Sequence, residues 1–195
     1  MSSLQWGMCV RPFLGQRVAG DAAVVRPRGD DFFFAIIDGL GHGSPAHDAA
    51  LRATRFLLDH DRLGDVSEGL AGLHRALKPT RGAAVGICCI TPRTGVMTYA
   101  GIGNTVCRQL GKTERRFVSK DGTLGQAMPH PFVQRIALSQ GDVIVMHTDG
   151  VRASVDAREY GGILRAEPPA AARKIVEQFG KPTDDAGCIV IKCDR

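Results

Sequence analysis

Apolar residues recur in two rhythms along this chain. Phe32-Phe33-Phe34-Ala35-Ile36-Ile37 and Val143-Ile144-Val145-Met146 are short unbroken runs rich in aromatic and β-branched residues. Runs of that length, bounded by turn residues, read as buried strands. Over 46–59 the rhythm becomes helical, with Ala46, Ala49, Ala50, Ala53, Phe56 and Leu57 on one face. Ser44-Pro45 in front supplies a cap and a proline suited to the first helical position. A second helix is predicted over 67–77, with Leu70, Leu73 and Leu77 on one side. Before these helices, 18–26 and 32–38 read as strands joined through Pro27-Arg28-Gly29-Asp30. After them come strands over 84–91 and 96–100 around Pro92-Arg93-Thr94-Gly95, and over 104–110 and 115–118 around Gly111-Lys112. Two more, 133–138 and 142–147, bracket Ser139-Gln140-Gly141, and a helix over 169–179 precedes a last strand over 187–193. This order predicts an α+β fold with helices packed on sheets. No repeat, low-complexity tract or linker interrupts it, so a single domain over 1–195 is expected.

The strand ends carry the chemistry. The run that ends at Ile37 meets Asp38, and Gly39-Leu40-Gly41-His42-Gly43 follows at once. The acid would sit at a strand's C-terminal end, beside a turn whose glycines let the backbone approach a ligand. A carboxylate next to exposed backbone oxygens suits a hard cation such as Mg²⁺ or Mn²⁺. Two further segments repeat the pattern: Met146-His147-Thr148-Asp149-Gly150 closes an apolar run, and Thr183-Asp184-Asp185-Ala186-Gly187 opens one. Asp21 follows Gly20 in the first predicted hairpin. Acids at several strand ends can converge on one rim, where a divalent ion relieves their repulsion. Asp-Gly is also an ordinary turn dipeptide, so each acid taken alone reads as well as a turn, a cap or a surface charge.

Composition narrows the setting. The chain has 195 residues, 44% of them hydrophobic, which suits one soluble domain with a sizeable core. No segment is long enough to span a bilayer and 1–9 lack a basic-then-apolar leader, so a cytoplasmic protein without a membrane partner is expected. Of the six cysteines, Cys9, Cys88, Cys89, Cys107, Cys188 and Cys193, none forms a Cys-x-x-Cys pair, and buried reduced thiols are expected. The formal charge of +5 is spread over scattered arginines, with Arg115-Arg116 the densest spot, read as a solvated strand or loop. No aromatic platform interleaves with them, so no nucleic-acid partner is expected. A mildly basic surface does suit a phosphorylated or acidic protein partner.

Taken in order, Asp38-Gly39-Leu40-Gly41-His42-Gly43, His147-Thr148-Asp149-Gly150-Val151 and Asp184-Asp185 resemble the metal-dependent protein phosphatase (PPM) superfamily. Gly20-Asp21, Tyr99-Ala100-Gly101-Ile102-Gly103-Asn104 and Gly122-Thr123-Leu124-Gly125 are similar to elements of its compact bacterial sporulation and stress-response branch. The resemblance implies an αββα sandwich, two central mostly antiparallel sheets flanked by helices, with two Mn²⁺ or Mg²⁺ ions at one edge. It implies that Asp38 bridges both ions, that the Gly39 carbonyl binds one, and that Asp149 and Asp184 bind the other. Asp21 matches an acid one layer behind the ions. The implied activity is hydrolysis of phosphoserine or phosphothreonine by a metal-activated water. The implied substrates are phosphorylated RsbS-like and RsbR-like stressosome proteins, whose dephosphorylation ends a stress signal.

Some positions depart from the family pattern. Larger relatives carry a histidine directly after the Asp-Gly; here Leu40 stands there and His42 lies two residues on, so His42 is a candidate general acid or a structural histidine. Gly187 stands where relatives often have threonine, and Arg11 and Arg17 are only positional candidates for a phosphate-binding arginine. His147 reads as a packed core histidine, on the side opposite Thr148 in a regular strand. Two other readings stand beside the phosphatase: a phosphoprotein-binding module of the same fold, and an ATP-binding kinase of the GHKL type, which also uses Asp-x-Gly-x-Gly.

Overall fold

The computed structural model describes residues 3–59 and 65–194. Strands β1 (Ser3–Arg11), β2 (Asp21–Arg28) and β3 (Asp31–Gly39) precede helices α1 (Ser44–Asp59) and α2 (Val66–Leu77). Strands β4 (Ala83–Thr91), β5 (Val96–Ile102), β6 (Val106–Leu110), β7 (Arg115–Arg116), β8 (Gln134–Ala137) and β9 (Val143–His147) follow, then α3 (Ala157–Ile163), α4 (Pro168–Phe179) and β10 (Ala186–Asp194). They make two five-stranded sheets with orders β1-β10-β9-β6-β7 and β2-β3-β4-β5-β8, every strand pair antiparallel. Helices α1 and α2 cover the second sheet, and α4, with α3 beside it, covers the first.

Period-two alternation divides each central strand between two cores. In β3, Phe33, Ala35 and Ile37 pack under α1 and α2, whereas Phe34 and Ile36 enter the layer between the sheets. In β9, Ile144 and Met146 face the inter-sheet layer and Val145 faces the α3 and α4 side. Strands buried on both faces have no polar side to show, which is why these segments read as unbroken apolar runs. The same parity puts Asp38 on the inter-sheet side of β3, at the end of that layer.

Several boundaries differ from the sequence expectation, each for a local reason. The first hairpin turns through Gly29-Asp30 alone, because Arg28 and Asp31 are already paired and Gly29 takes φ +55°. Residues 18–20 stand outside β2, since Gly20 lends its N–H to Asp185 and its carbonyl to Gly39 N. Strand β7 has only two residues because Gln134 takes over the backbone of Val118, accepting from its N–H at 3.0 Å and donating to its carbonyl at 2.8 Å. Asn104 lies in the turn before β6 rather than in the strand. Helix α2 starts at Val66, capped by the Asp65 carboxylate on Glu68 N at 2.8 Å.

Two elements carry little periodic signal. In β1, Gly7 replaces a packed side chain: a Cβ there would lie 2.1 Å from Pro169 N, at the start of α4. Short α3 contains Gly161 and Gly162, and its signature is the capping box of Asp156 and Glu159. None of the six cysteines is in a disulfide; Cys88, Cys107, Cys188 and Cys193 are buried and Cys9 and Cys89 half-buried. No helix among the described residues is long and apolar enough to cross a membrane. The close approach at Gly7 makes Gly7→Ala the sharpest test of the β1–α4 contact. The added methyl must push α4 off the sheet, and the urea midpoint is expected to fall by the equivalent of about 1–3 kcal/mol.

Candidate metal centre

Three loops deliver carboxylates to one end of the sandwich. Asp38 closes β3, and Asp21, which opens β2, is its direct cross-strand partner. Directly opposed residues share a face, so two like charges meet there. Asp21 is 7% exposed, and its Oδ2 accepts from Thr148 Oγ1 at 2.7 Å. Thr148 in turn accepts from Gly187 N at 2.9 Å, so the first strand pair is tied to β10. Two residues past β9, Asp149 accepts at Oδ2 from Asn104 Nδ2 at 2.7 Å. The turn behind it lies hard against the 180–185 loop, where Lys181 N donates to Gly150 O at 2.7 Å. A Cβ on Gly150 would fall 1.7 Å from Asp185 O, so only glycine permits this approach.

Neighbouring acids Asp184 and Asp185 take different positions. Asp185 is buried and accepts from Phe13 N at 2.6 Å and Gly20 N at 2.8 Å, stapling the 12–20 loop to the rim. Asp184 is half-buried and faces a pocket of about 460 Å³. Asp38, Asp149, Asp121, Asn104 and His42 also line that pocket, and no lysine or arginine does. Gly39 does not line it, although its neighbours Asp38 and Leu40 do. It is buried beside α1, where a Cβ would lie 2.3 Å from Ala46 O.

The electrostatics follow from that crowding. Burial raises the Asp38 carboxyl to about 7, helped by the charges of Asp149 and Asp184 and by a hydrogen bond with Asp149 that requires a shared proton. Burial also holds Asp21 well above the usual carboxylate range, with Asp38 the next cause. Asp184 is raised by burial and then by Asp149, against the pull of the Asp185 N–H and Lys181. Among the described residues no three His, Cys, Asp or Glu side chains stand close enough together to hold a metal ion as they are. The acids instead ring the pocket. Hard oxygen donors and a lining rich in carboxylates, without lysine or arginine, fit a divalent ion such as Mg²⁺ or Mn²⁺, which would displace the Asp38 proton.

His42 stands exposed on the rim, its ring 6.3 Å from that of Phe13. His147 points away from the pocket, on the helix-covered face. Its Nδ1 contacts Thr148 O at 2.8 Å, Nε2 has no partner, and burial pushes it down to about 4. Arg11 is committed to Lys181 O at 2.7 Å, and Arg17 is exposed without lining the pocket. Three participants escaped the sequence reading. Asp121 arrives in a loop with no strand before it, held because Gly103 N donates to Lys120 O at 2.8 Å; its signal was a third Asp-Gly dipeptide. Asn104 was visible only as part of a glycine-rich element. Arg81, with Nη1 3.1 Å from where a Cβ on Gly41 would lie, brings a cation to the rim.

The family profile described as Stage II sporulation protein E (SpoIIE) matches residues 28–194. The chain belongs to the SpoIIE family. Phosphoserine phosphatase RsbX of Bacillus subtilis (strain 168) is 24% identical to it over 139 residues, covering 70% of this chain and 69% of that protein. A chain solved in work on the bacterial stressosome, a modular system adapted to control secondary messenger signalling, is 27% identical, with TM-score 0.91 over 98% of this chain and 100% of the other. RsbX in complex with magnesium superposes with TM-score 0.83 at 19% identity, covering 96% of this chain and 94% of that one. The Mycobacterium tuberculosis serine/threonine phosphatase PstP/Ppp does so with 0.78 at 15% identity, covering 98% and 99%. These relations place this SpoIIE-family chain in the PPM superfamily near RsbX, and its αββα sandwich, which the resemblance implied, is the fold of PP2C-type serine/threonine phosphatases. The SpoIIE match and the two-sheet sandwich give the GHKL kinase reading no support.

The raised carboxyl makes a stability prediction for the metal-free protein. Asp38 is protonated in the folded chain up to about pH 7 but ionises near pH 4 once unfolded, so folded stability falls as pH rises between those values. Asp38→Asn removes that penalty. In excess chelator it is expected to melt above wild type at pH 8, by the equivalent of about 2–4 kcal/mol, and to lose most of that advantage near pH 4. A pH-independent difference in thermal melts would count against the shift.

Proposed function

We propose that this chain is a Mn²⁺- or Mg²⁺-dependent phosphoprotein phosphatase that removes phosphate from serine or threonine of RsbS-like and RsbR-like stressosome proteins, and so helps to switch off a bacterial stress response. The observation that carries the reading is the pocket with four carboxylates and no lysine or arginine in its lining, in which burial and then the neighbouring acids raise Asp38 to about 7. The similarity to RsbX and to a chain from the stressosome supports the substrate class.

In this reading Asp38, the Gly39 carbonyl, Asp149 and Asp184 hold the ions, and Asp121 adds a fourth carboxylate to the same wall. Ions bound there would supply an acidified water and a clamp on the phosphoryl oxygens. Asp21, fixed by Thr148, backs Asp38 from the opposing strand, and the Asn104 amide orients Asp149. His42, the histidine on the pocket wall, would protonate the departing serine or threonine oxygen. Cysteine chemistry has no part, since burial raises the thiols of Cys88, Cys107 and Cys188 and none of the six lines the pocket.

The test is incubation with phosphorylated RsbS-like and RsbR-like proteins, with Mn²⁺, with Mg²⁺ and with chelator, following released phosphate. Release is expected only with metal. Asp38→Asn and Asp149→Asn are each expected to lower kcat by at least about a thousandfold while leaving the circular dichroism spectrum unchanged. Binding of the phosphoproteins without hydrolysis in saturating Mn²⁺ would instead favour the binding-module reading.

A further inference from the structure

The pocket continues sideways along the surface. Gly103 and Asn104, on its wall, also line a depression that runs past Thr105, Arg116 and Val118. Arg116 lines in turn a third depression with Arg108, Glu114, Arg115 and Val155. Shared walls make these one track, from the carboxylates at one end to an arginine corner at the other.

The corner carries positive charge that the fold does not neutralise. Arg116 sits directly opposite Arg108 in the β6–β7 pair, so their side chains share a face. Arg108 is fully engaged: it donates to Val155 O, pairs with Glu114 Oε1 at 2.5 Å and lies 5.5 Å over the Tyr160 ring. Glu114 is thereby taken. Arg115 and Arg116 are exposed, and no ion pair among the described residues engages either. Like charges opposed across a strand pair are unfavourable, and an anion from solution relieves them. Val118 lines the track and is 52% exposed, and Phe132 and Val133, which precede the Gln134 bonded to it, are 49% and 43% exposed. Gln134 already holds both backbone groups of Val118, so a partner must be read here by side chains rather than by adding a strand.

We propose that this track is the docking groove for the phosphoprotein substrate. The phosphorylated side chain enters the carboxylate pocket, the chain passes over Asn104 and Val118, and acidic substrate residues meet Arg115 and Arg116. The proposal rests on the phosphatase reading of the pocket. Charge complementarity selects the partner: a basic flank is repelled by the corner, whereas an acidic one is drawn to it. Arg108, the residue paired with Arg116, lies four residues beyond Asn104, roughly 13 Å of extended strand, so the acids fall about three to five residues from the phosphorylated one.

The test uses phosphoserine peptides with glutamates at those positions on the N-terminal or the C-terminal side, and lysines in their place as controls, all with Mn²⁺. One glutamate peptide is expected to exceed its lysine counterpart by at least about tenfold in kcat/KM, chiefly through KM, with the preference shrinking as salt rises. The double variant Arg115→Ala/Arg116→Ala is expected to cut that preference to about twofold while hydrolysing para-nitrophenyl phosphate as wild type does. Equal kcat/KM for glutamate and lysine peptides, or a preference that survives the double variant, overturns the proposal. If no peptide or para-nitrophenyl phosphate is hydrolysed, the phosphatase reading fails, and fluorescence anisotropy of the labelled peptides judges the groove. Selective binding of a glutamate peptide, lost in the double variant, upholds it; equal binding of both peptides overturns it.

Discussion

Buried like charge at one end of the sandwich is the constraint around which the rest is arranged. Asp21 and Asp38 face each other across a strand pair, in a layer that is otherwise hydrocarbon. Nothing in their own chemistry favours that position, so packing must impose it. The register does so: a slip of one residue in β3 would turn Phe34 and Ile36 out of the inter-sheet layer and Phe33, Ala35 and Ile37 away from the helices. With both faces of the strand buried, no alternative register keeps the core, and Asp38 is carried to the rim by the residues before it.

The rim itself is built from backbone contacts that side chains would block. Gly150 meets Asp185 O, Gly39 meets Ala46 O, and Asp185 ties Phe13 and Gly20 to the far side. The adjacent pair Asp184 and Asp185 shows what such contacts decide. The same side chain becomes a structural staple where two N–H groups reach it, and a repelled pocket acid where Asp149 is its neighbour. Sequence position alone does not separate these outcomes; the direction of each side chain does.

What was legible in the chain followed from how burial writes itself into sequence. Doubly buried β3 and β9 announced themselves as apolar runs, and the acids at their ends were found because a strand preceded them. Helix α1 was visible through its alanine stripe. Strand β1 was not, because its contact with α4 is made by the absent side chain of Gly7, and α3 was not, because a cap and two glycines leave no periodic face. Asp121 escaped for the complementary reason: its loop is placed by backbone bonds to the 101–103 segment, which no residue pattern records. Arg115 and Arg116 were read correctly as exposed, but their opposition to Arg108 depends on a two-residue pairing that only the fold supplies.

Asn104 joins the two ends of this arrangement. Gly103, at φ +95°, lets the turn close to where a Cβ would lie 2.3 Å from the Ala84 Cβ, and so sets Asn104 beside Asp149. A carboxylate at position 104 would be a fifth acid around the pocket, adding repulsion where Asp38 already holds a proton to about 7. The neutral amide instead donates a hydrogen bond to Asp149 Oδ2 without adding charge. Because the same residue forms the wall between the pocket and the track toward Arg116, a chain lying in that track would press on the group that orients Asp149. In the proposed groove, docking and the geometry of the carboxylates would share one side chain, and a disturbance at either would reach the other through a single 2.7 Å bond.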